Sequence, residues 1–161
     1  MAVSVDAVAD YFILRVDPEA GDHITHLKLQ KLVYYAQAWH LAMFGKPLFK
    51  HKIEAWLHGP VCRPVYERFR HLSWNPIPLD EVKSNAPALD HDTNNFLDEV
   101  WDVYGQYSAK KLEEMTHEEA PWQEARKGVS RGSPSQNLIN EDAMRSYYGS
   151  RMVARKRIKE K

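Results

Sequence analysis

The stretch from Thr25 to Gly45, THLKLQKLVYYAQAWHLAMFG, is the longest apolar-periodic run of the chain and predicts a helix around which the rest must pack. Thr25 can accept a hydrogen bond from a first-turn backbone N–H, and Gly45 can adopt the left-handed conformation that ends a helix. One face of this helix is apolar and should lie in the core; it carries Leu29, Leu32, Val33, Ala36, Trp39, Met43 and Phe44.

The opposite face of the predicted helix is also partly apolar, because Tyr34, Tyr35 and Leu41 are interleaved with Lys28, Lys31 and glutamines. We therefore expect either another helix of the same chain or a partner to cover this second face. The lysines, glutamines and histidine would be costly in a bilayer, so we predict that the segment does not span a membrane.

The composition is that of one ordinary domain. The 161 residues carry 22 basic and 22 acidic side chains, so net charge favours neither nucleic acid nor an anionic membrane. Cys62 is the single cysteine, which excludes an internal disulfide and fits a reducing compartment. The sequence opens without the basic and apolar regions of an export signal, and we expect a cytoplasmic protein.

Shorter patterned segments predict a mainly α fold, in which a single compact helical domain has a central buried helix and a small β-hairpin or short strand insertion. A strand is predicted at Ile53–Leu57, ending in a His58-Gly59-Pro60 turn, and a weaker second strand at Ile77–Val82. Further helices are predicted at Val5–Val16, Val61–His71, Asp90–Tyr107, Ser108–Met115, Pro121–Arg126 and after a cap at Asn140.

Two local signals compete near residue 120. Thr116 and Glu119 have the spacing of a capping box, but a helix that began at Thr116 would place Pro121 beyond its first turn. Proline in a helix interior costs about 3 kcal/mol, whereas a cap contributes about 1 kcal/mol. We therefore predict that Pro121 occupies the first position of a separate helix that runs to Arg126 and that Gly128 ends it.

The sequence contains no strong catalytic motif, and we predict a protein that is not an enzyme and has no cofactor or metal. His117 is not part of an HExxH motif, and the glycines are scattered singly instead of forming a phosphate-binding loop. Cys62 and His58 are four residues apart, but no third group is available to orient them, so Cys62 is predicted to be a buried apolar side chain. His40 is predicted to hydrogen-bond a neighbour.

Trp56 is a candidate anchor for another protein. If Ile53, Ala55 and Leu57 face the core, alternation along the strand turns Trp56 outward together with Glu54. Tryptophan contributes strongly to protein–protein interfaces, and the adjacent turn would hold it rigidly. Packing of Trp56 beneath the proline-rich segment that follows is an equally good interpretation.

Three blocks of the sequence, in this order, resemble the Panacea domain, also called the SocA-like antitoxin domain: LKLQKLVYYAQAWHLAMFGKPLF, EAWLHGPVCRPVYERF and LDEVWDVYGQYSAKKLEEMTHEEAPWQEAR. The resemblance covers roughly Val5 to Tyr148. It implies a mainly helical antitoxin that binds and neutralises a toxin encoded nearby, and one branch of the family delivers its toxin to an ATP-dependent protease. On this interpretation residues 1–150 form the domain and residues 151–161 a basic tail.

The resemblance also implies a set of partner-binding residues, because these positions match the family blocks: Lys31, Tyr34, Trp56, His58, Gly59, Pro60, Tyr66, His117 and Trp122. Gly59 and Pro60 are expected to set the backbone shape. The alternative for His117 is a hydrogen bond to a carbonyl at the end of the preceding helix, and the alternative for Trp122 is a place in the core.

Two other function classes remain open at this point. The last eleven residues, RMVARKRIKEK, hold six basic side chains and one acidic one, so a nucleic-acid-binding regulator is possible, although a solvated terminal charge run is favoured. The eight histidines also allow a metal hydrolase, which would require stoichiometric metal in the purified protein.

Overall fold

The computed structural model describes residues 2–82 and 88–159 and confirms the mainly α fold with a small hairpin. The described elements are α1 (Val5–Arg15), α2 (His26–Phe44), β1 (Ile53–Trp56), β2 (Gly59–Cys62), α3 (Arg63–Phe69), α4 (His91–Tyr104), α5 (Ala109–His117), α6 (Ala120–Ala125) and α7 (Glu141–Lys159). Single turns of 3-10 helix lie at Pro18–Ala20, Arg70–Leu72 and Leu79–Glu81.

The ends of α2 are those that the sequence predicts. Thr25 Oγ1 accepts a hydrogen bond from the backbone N–H of Lys28 at 3.3 Å, and Gly45 has a φ of +73°. These two residues satisfy backbone groups that a helix leaves unpaired at its ends.

Both faces of α2 are buried, because α7 packs on it together with α1, α4, α5 and β2. The second face is therefore covered by the chain itself. Gln37 shows how its polar residues are accommodated, since its side-chain oxygen accepts from the backbone of Leu48 at 2.8 Å and its nitrogen donates to the carbonyl of Phe49 at 2.9 Å. Met43 and Phe44 are 39% and 50% exposed, so the predicted core face is wrong for the last turn, which lies at the edge of the packed elements.

The predicted strand forms the first half of an antiparallel hairpin, with Ile53 opposite Cys62 and Trp56 opposite Gly59. A third segment lies against the other edge of β1, where the N–H of Ala55 donates to the carbonyl of Asn137 at 2.7 Å. β1 is thus the middle of three extended segments.

The second predicted strand is wrong. Within Ile77–Val82 the structure has a 3-10 turn at Leu79–Glu81, and the two prolines on either side of Ile77 cannot donate to a sheet ladder. Ile77 itself is buried, and its N–H donates to the carbonyl of Ile24 at 2.8 Å. This segment therefore packs beside the start of α2 without joining the hairpin.

The helices of the second half begin close to the predicted residues, and Asn140 is the cap that the sequence predicts. Side-chain oxygens of Asp90, Ser108 and Asn140 accept first-turn backbone N–H groups at 2.7, 3.1 and 3.0 Å. Pro121 lies in the first turn of α6 and Thr116 lies inside α5, so the proline determines the helix boundary as predicted. α7 continues to Lys159, and the predicted division at residue 150 falls within it.

A half-buried carboxylate joins α7 to α2. Glu119 Oε1 accepts from the hydroxyl of Tyr35 at 2.6 Å and from that of Tyr148 at 2.9 Å, and Tyr148 also lies 3.0 Å from the hydroxyl of Tyr34. Burial raises the pKa of Glu119 and the pKa of each of these tyrosines. The group is thus a polar network enclosed by the main helix pair.

Replacing Tyr148 by phenylalanine should lower the free energy of unfolding by about 2 kcal/mol, because Glu119 and the Tyr34 hydroxyl each lose a buried partner. The neighbouring Tyr147→Phe exchange is the control and should change stability by less than about 0.5 kcal/mol, since the Tyr147 ring is only partly buried and keeps its packing beneath Arg151. Urea unfolding of both variants measures the difference. Equal effects would show that the network does not stabilise the helix pair.

Candidate partner-binding site

Two side chains of α2 occupy the outer edge of the hairpin. Gln30 accepts from the N–H of Cys62 at 2.9 Å and donates to the carbonyl of the same residue at 3.2 Å, while Lys31 Nζ donates to the carbonyl of Pro60 at 3.1 Å. The backbone groups of β2 that could pair with another strand are therefore taken. A partner cannot extend this sheet at β2 without displacing α2 contacts.

Gly59 is required by both its backbone conformation and its surroundings. Its φ is +110°, a backbone conformation that residues other than glycine rarely adopt. A Cβ atom there would lie 2.5 Å from Cε of Lys31. Gly59 thus allows the turn to lie directly on Lys31. The predicted role of Gly59 in setting backbone shape agrees with this geometry.

Lys31 is fully buried, and this burial lowers the pKa of its amine to about 7 against the opposing attraction of Glu113. Burial, followed by repulsion from Lys31, also lowers the pKa of His26 to about 4. His26 is therefore neutral near pH 7, whereas Lys31 is divided between its charged and neutral forms.

A cavity of about 520 Å³ opens beside the hairpin, between the start of α2, α3 with the turn that follows it, and residues 134–136. This volume is in the range of small-ligand and anchor pockets. Its main side chains are those of His26, Leu27, Gln30, Lys31, Trp56, Leu57, His58, Val61, Tyr66, Arg70, Trp74 and Gln136. Of the predicted site, the structure thus brings Lys31, Trp56, His58 and Tyr66 to one pocket.

Trp56 is half-buried in this pocket and contacts Tyr66 edge-on, with the ring centroids 4.7 Å apart. The prediction that Glu54 also points outward is wrong, since Glu54 is only 8% exposed. Arg63 donates two hydrogen bonds, of 3.0 and 2.8 Å, to the Glu54 carboxylate. The Trp56 indole donates to the same carboxylate at 3.2 Å. Trp56 therefore lines the pocket, with its indole N–H already paired.

Trp74 stands at the rim of the pocket with 76% of its surface exposed, and sequence reasoning missed it. Ser73, directly before it, has a φ of +53°, and the N–H of Asn75 donates to the carbonyl of Leu72 at 3.0 Å. A left-handed serine in such a tight turn is strained. The signal that could have identified Trp74 is its position in a proline-rich turn with no apolar periodicity to bury it.

The far wall of the pocket is held by Arg126. Its guanidinium donates to the carbonyl of Ala55 in the hairpin at 3.1 Å and to that of Ser133 at 2.5 Å. Arg126 is only 6% exposed, and it joins the segment before residues 134–136 to β1. Sequence reasoning also missed this residue, since a single arginine at the end of a helix has no distinctive pattern.

His117 and Trp122 lie behind the hairpin turn. Their rings stack at 4.1 Å, and the Trp122 indole donates to the carbonyl of Trp56 at 2.9 Å. His117 hydrogen-bonds the backbone of Leu57, and its pKa is lowered by burial. The carbonyl that His117 binds therefore belongs to the hairpin turn and not, as the alternative proposed, to the end of the preceding helix.

Two more predicted site residues have contrasting positions. His58 is exposed at the turn, with Nδ1 3.0 Å from Glu113 Oε1. Tyr34 is 1% exposed and bonded to Tyr148, so it lies in the core and is not brought to the pocket.

The residues that form α2 and the hairpin match a known family. The family described as antitoxin SocA-like, Panacea domain, matches residues 29–123, more than half of the 161-residue chain. The chain belongs to the SocA-like Panacea family. It is 32% identical over 130 residues to Antitoxin SocA of Caulobacter vibrioides (strain NA1000 / CB15N), and the alignment covers 74% of this chain and 69% of that protein. No solved structure gives a significant match.

The part of the chain that matches the Panacea domain begins inside α2 and ends inside α6, so it contains the hairpin, α3 and Trp74. Residues 134–136, which close the far side of the pocket, and α7 follow the matched part. The Panacea match therefore includes most of the pocket lining but not residues 134–136 at its far side.

Three other features bear on function: the single cysteine, the arrangement of possible metal ligands, and the length and polarity of the helices. Cys62 is 1% exposed, and burial raises the pKa of its thiol to about 12, as expected for a buried apolar side chain. Within residues 2–82 and 88–159, no three His, Cys, Asp or Glu side chains converge as metal ligands would. Among the described helices, none is both long and apolar enough to span a bilayer.

Proposed function

We propose that this protein is a non-enzymatic antitoxin that neutralises a toxin encoded nearby by binding it directly through the pocket beside the hairpin. Membership of the SocA-like family and the relative named Antitoxin SocA support the antitoxin role. The observation that carries the location is Trp74, whose indole is 76% exposed at the rim of an aromatic pocket. A large exposed aromatic residue at a concave surface is typical of a protein-binding site.

The pocket has the composition of an interface centre. Tryptophan, tyrosine and arginine dominate the binding energy of protein interfaces, and Trp56, Tyr66, Trp74 and Arg70 all line this cavity. The hairpin is fixed to α2 by the hydrogen bonds of Gln30 and Lys31, so little conformational freedom is lost when a partner binds.

Apart from Tyr34, which lies in the core, the predicted site residues divide into two groups on this proposal. Trp56, His58 and Tyr66 contact the toxin, whereas five residues hold the hairpin in place: Lys31, Gly59, Pro60, His117 and Trp122. Residues 1–150 are sufficient for toxin binding, and residues 151–161 are dispensable. Because the toxin acts inside the cell that makes it, we place the complex in the cytoplasm.

Growth rescue tests this function. Expressing the product of the adjacent gene should stop growth, and co-expressing this protein should restore it. The Trp74→Ala variant should lose rescue, because tryptophan anchors commonly contribute 2 kcal/mol or more, about thirtyfold in affinity. Leu14→Ala is the matched control, since Leu14 is 60% exposed in α1 and does not line the pocket.

Three results distinguish the alternatives. Loss of rescue in Trp74→Ala but not in Leu14→Ala supports binding at the pocket. Equal rescue by these two variants contradicts it. Failure of the unaltered protein to rescue growth or to form a complex with the toxin contradicts the antitoxin role itself. Rescue that disappears in a host lacking an ATP-dependent protease would show delivery for degradation in place of direct inhibition.

A further inference from the structure

We propose that the pocket recognises an aromatic side chain that stands beside a carboxylate on the partner, an inference that rests on the proposed toxin-binding function and specifies its chemistry. The occupant is a segment of the toxin in which a tryptophan or phenylalanine lies next to an acidic side chain or the chain terminus. Two independent features of the pocket carry this: its aromatic walls and the sign of its charge.

The aromatic half of the recognition comes from rings on three sides. Trp56 and Tyr66 form one wall with an edge-on contact, and the His26 ring lies 5.5 Å from Tyr66. Trp74 stands at the rim with its indole exposed. Aromatic rings pack favourably against other rings in offset or edge-to-face geometry, so a planar side chain fills this space better than a branched aliphatic one.

The anionic half comes from the charge of the lining. The described residues that line the pocket include the cations Lys31 and Arg70 and no acidic side chain. Glu54 and Glu113 do not line the pocket: Glu54 binds Arg63 and the indole of Trp56, and Glu113 lies 3.0 Å from Nδ1 of the lining residue His58. A carboxylate on the partner therefore meets positive charge without acidic competition from the pocket walls.

Arg70 is the group that can bind such a carboxylate. It pairs with Glu67 at 3.3 Å, but 62% and 50% of the two side chains are exposed, so this ion pair is weak. A guanidinium can bind a second carboxylate through its remaining N–H groups. Lys31 Nζ, in contrast, is already bonded to Pro60 and is only partly charged near pH 7, so Arg70 is the group that binds the carboxylate.

The route of recognition is through side chains, because the strand edges of the hairpin are occupied. β1 pairs with β2 on one side and with residues 137–139 on the other, and Gln30 and Lys31 take the outer edge of β2. An extended peptide cannot bind here by adding a strand to the sheet. Affinity must then come from what enters the pocket.

The test uses N-acetyltryptophan, which carries an indole beside a carboxylate, and its uncharged amide, N-acetyltryptophanamide. Each is titrated into the ¹⁵N-labelled protein while the indole N–H signals of Trp56 and Trp74 are followed by NMR. The acid should shift both signals and bind about fivefold more tightly than the amide, as expected for one surface ion pair. Arg70→Gln should abolish this preference while the amide affinity stays unchanged.

Arg145→Gln is the matched control, because Arg145 also forms an ion pair with an acidic residue three positions away, on α7 and outside the pocket lining. It should keep the preference for the acid. Equal binding of acid and amide by the unaltered protein, or no shift of either indole signal by both probes, would overturn the proposed chemistry. If either of those titration results is found while Trp74→Ala loses growth rescue, the toxin-binding function is still supported. Only the aromatic-carboxylate specificity is then refuted.

Discussion

Replacing Gly59 by alanine is expected to lower the free energy of unfolding by about 3 kcal/mol. The new Cβ would lie 2.5 Å from Cε of Lys31, and alanine at a φ of +110° is strained. Lys31 is fully buried and its Nζ donates to the carbonyl of Pro60 at 3.1 Å, so moving its Cε away from the new methyl group disrupts that buried hydrogen bond. Urea unfolding of the two proteins measures the loss.

Gly132→Ala is the control for this exchange, because no atom lies within 4 Å of the position that its Cβ would take. It should change stability by no more than about 0.5 kcal/mol. Growth rescue should follow the same order, with Gly59→Ala impaired and Gly132→Ala intact. A Gly59→Ala protein as stable as the unaltered one would mean that the hairpin turn is not pressed against Lys31.

The stability of the protein should increase by about 2 kcal/mol more between pH 7 and pH 9 than that of a Lys31→Met variant. The pKa of Lys31 is lowered from 10.5 to about 7 by burial. Between these values the unfolded chain binds a proton that the folded protein does not, so stability rises with pH. Lys31 contributes least to the stability of the folded protein below pH 7, where its buried amine must carry its charge.

Comparing two proteins at each pH removes the contributions of other groups with shifted pKa values, such as Lys28 and Cys62, which both proteins share. Lys110→Met is the control, since Lys110 is exposed on α5, and its stability should follow that of the unaltered protein. Urea unfolding at pH 7, 8 and 9 provides the measurement. Parallel pH profiles for the unaltered protein and Lys31→Met would show that burial does not lower the pKa of Lys31.

The parts of the fold that sequence predicted are those that depend on short-range chemistry. Thr25 and Gly45 fix the ends of α2 because a hydroxyl can cap a first turn and glycine tolerates positive φ. Pro121 lies in the first turn of α6 because its cost inside a helix exceeds that of a lost cap. These effects act within a few residues, so periodicity and residue type are sufficient.

The parts that sequence could not predict depend on which elements meet in space. Glu54 is buried because Arg63, at the start of α3, returns to the same end of the hairpin. Tyr34 is enclosed because α7, more than a hundred residues later, supplies Tyr148. Conversely, Phe44 in the last turn of α2 stays 50% exposed, although its ring lies 5.8 Å from that of Phe96 in α4.

The candidate site follows the same division. The motif residues Trp56, His58 and Tyr66 are brought to one pocket. Trp74 and Arg70 complete the pocket. Arg70 lies at the end of the helix predicted at Val61–His71, whereas Trp74 lies in a segment without periodicity, directly after the strained residue Ser73. A site built partly from such a turn is visible only once the chain is folded.

Hydrogen–deuterium exchange of the protein with and without its toxin is the most direct test of where the partner binds. Binding at the pocket predicts slower amide exchange in residues 56–58, 66–75 and 134–136, and unchanged exchange in the first turns of α1 and α4. Protection confined to α1 and α4, with residues 56–75 exchanging as in the free protein, would contradict the assignment of the pocket as the toxin-binding site.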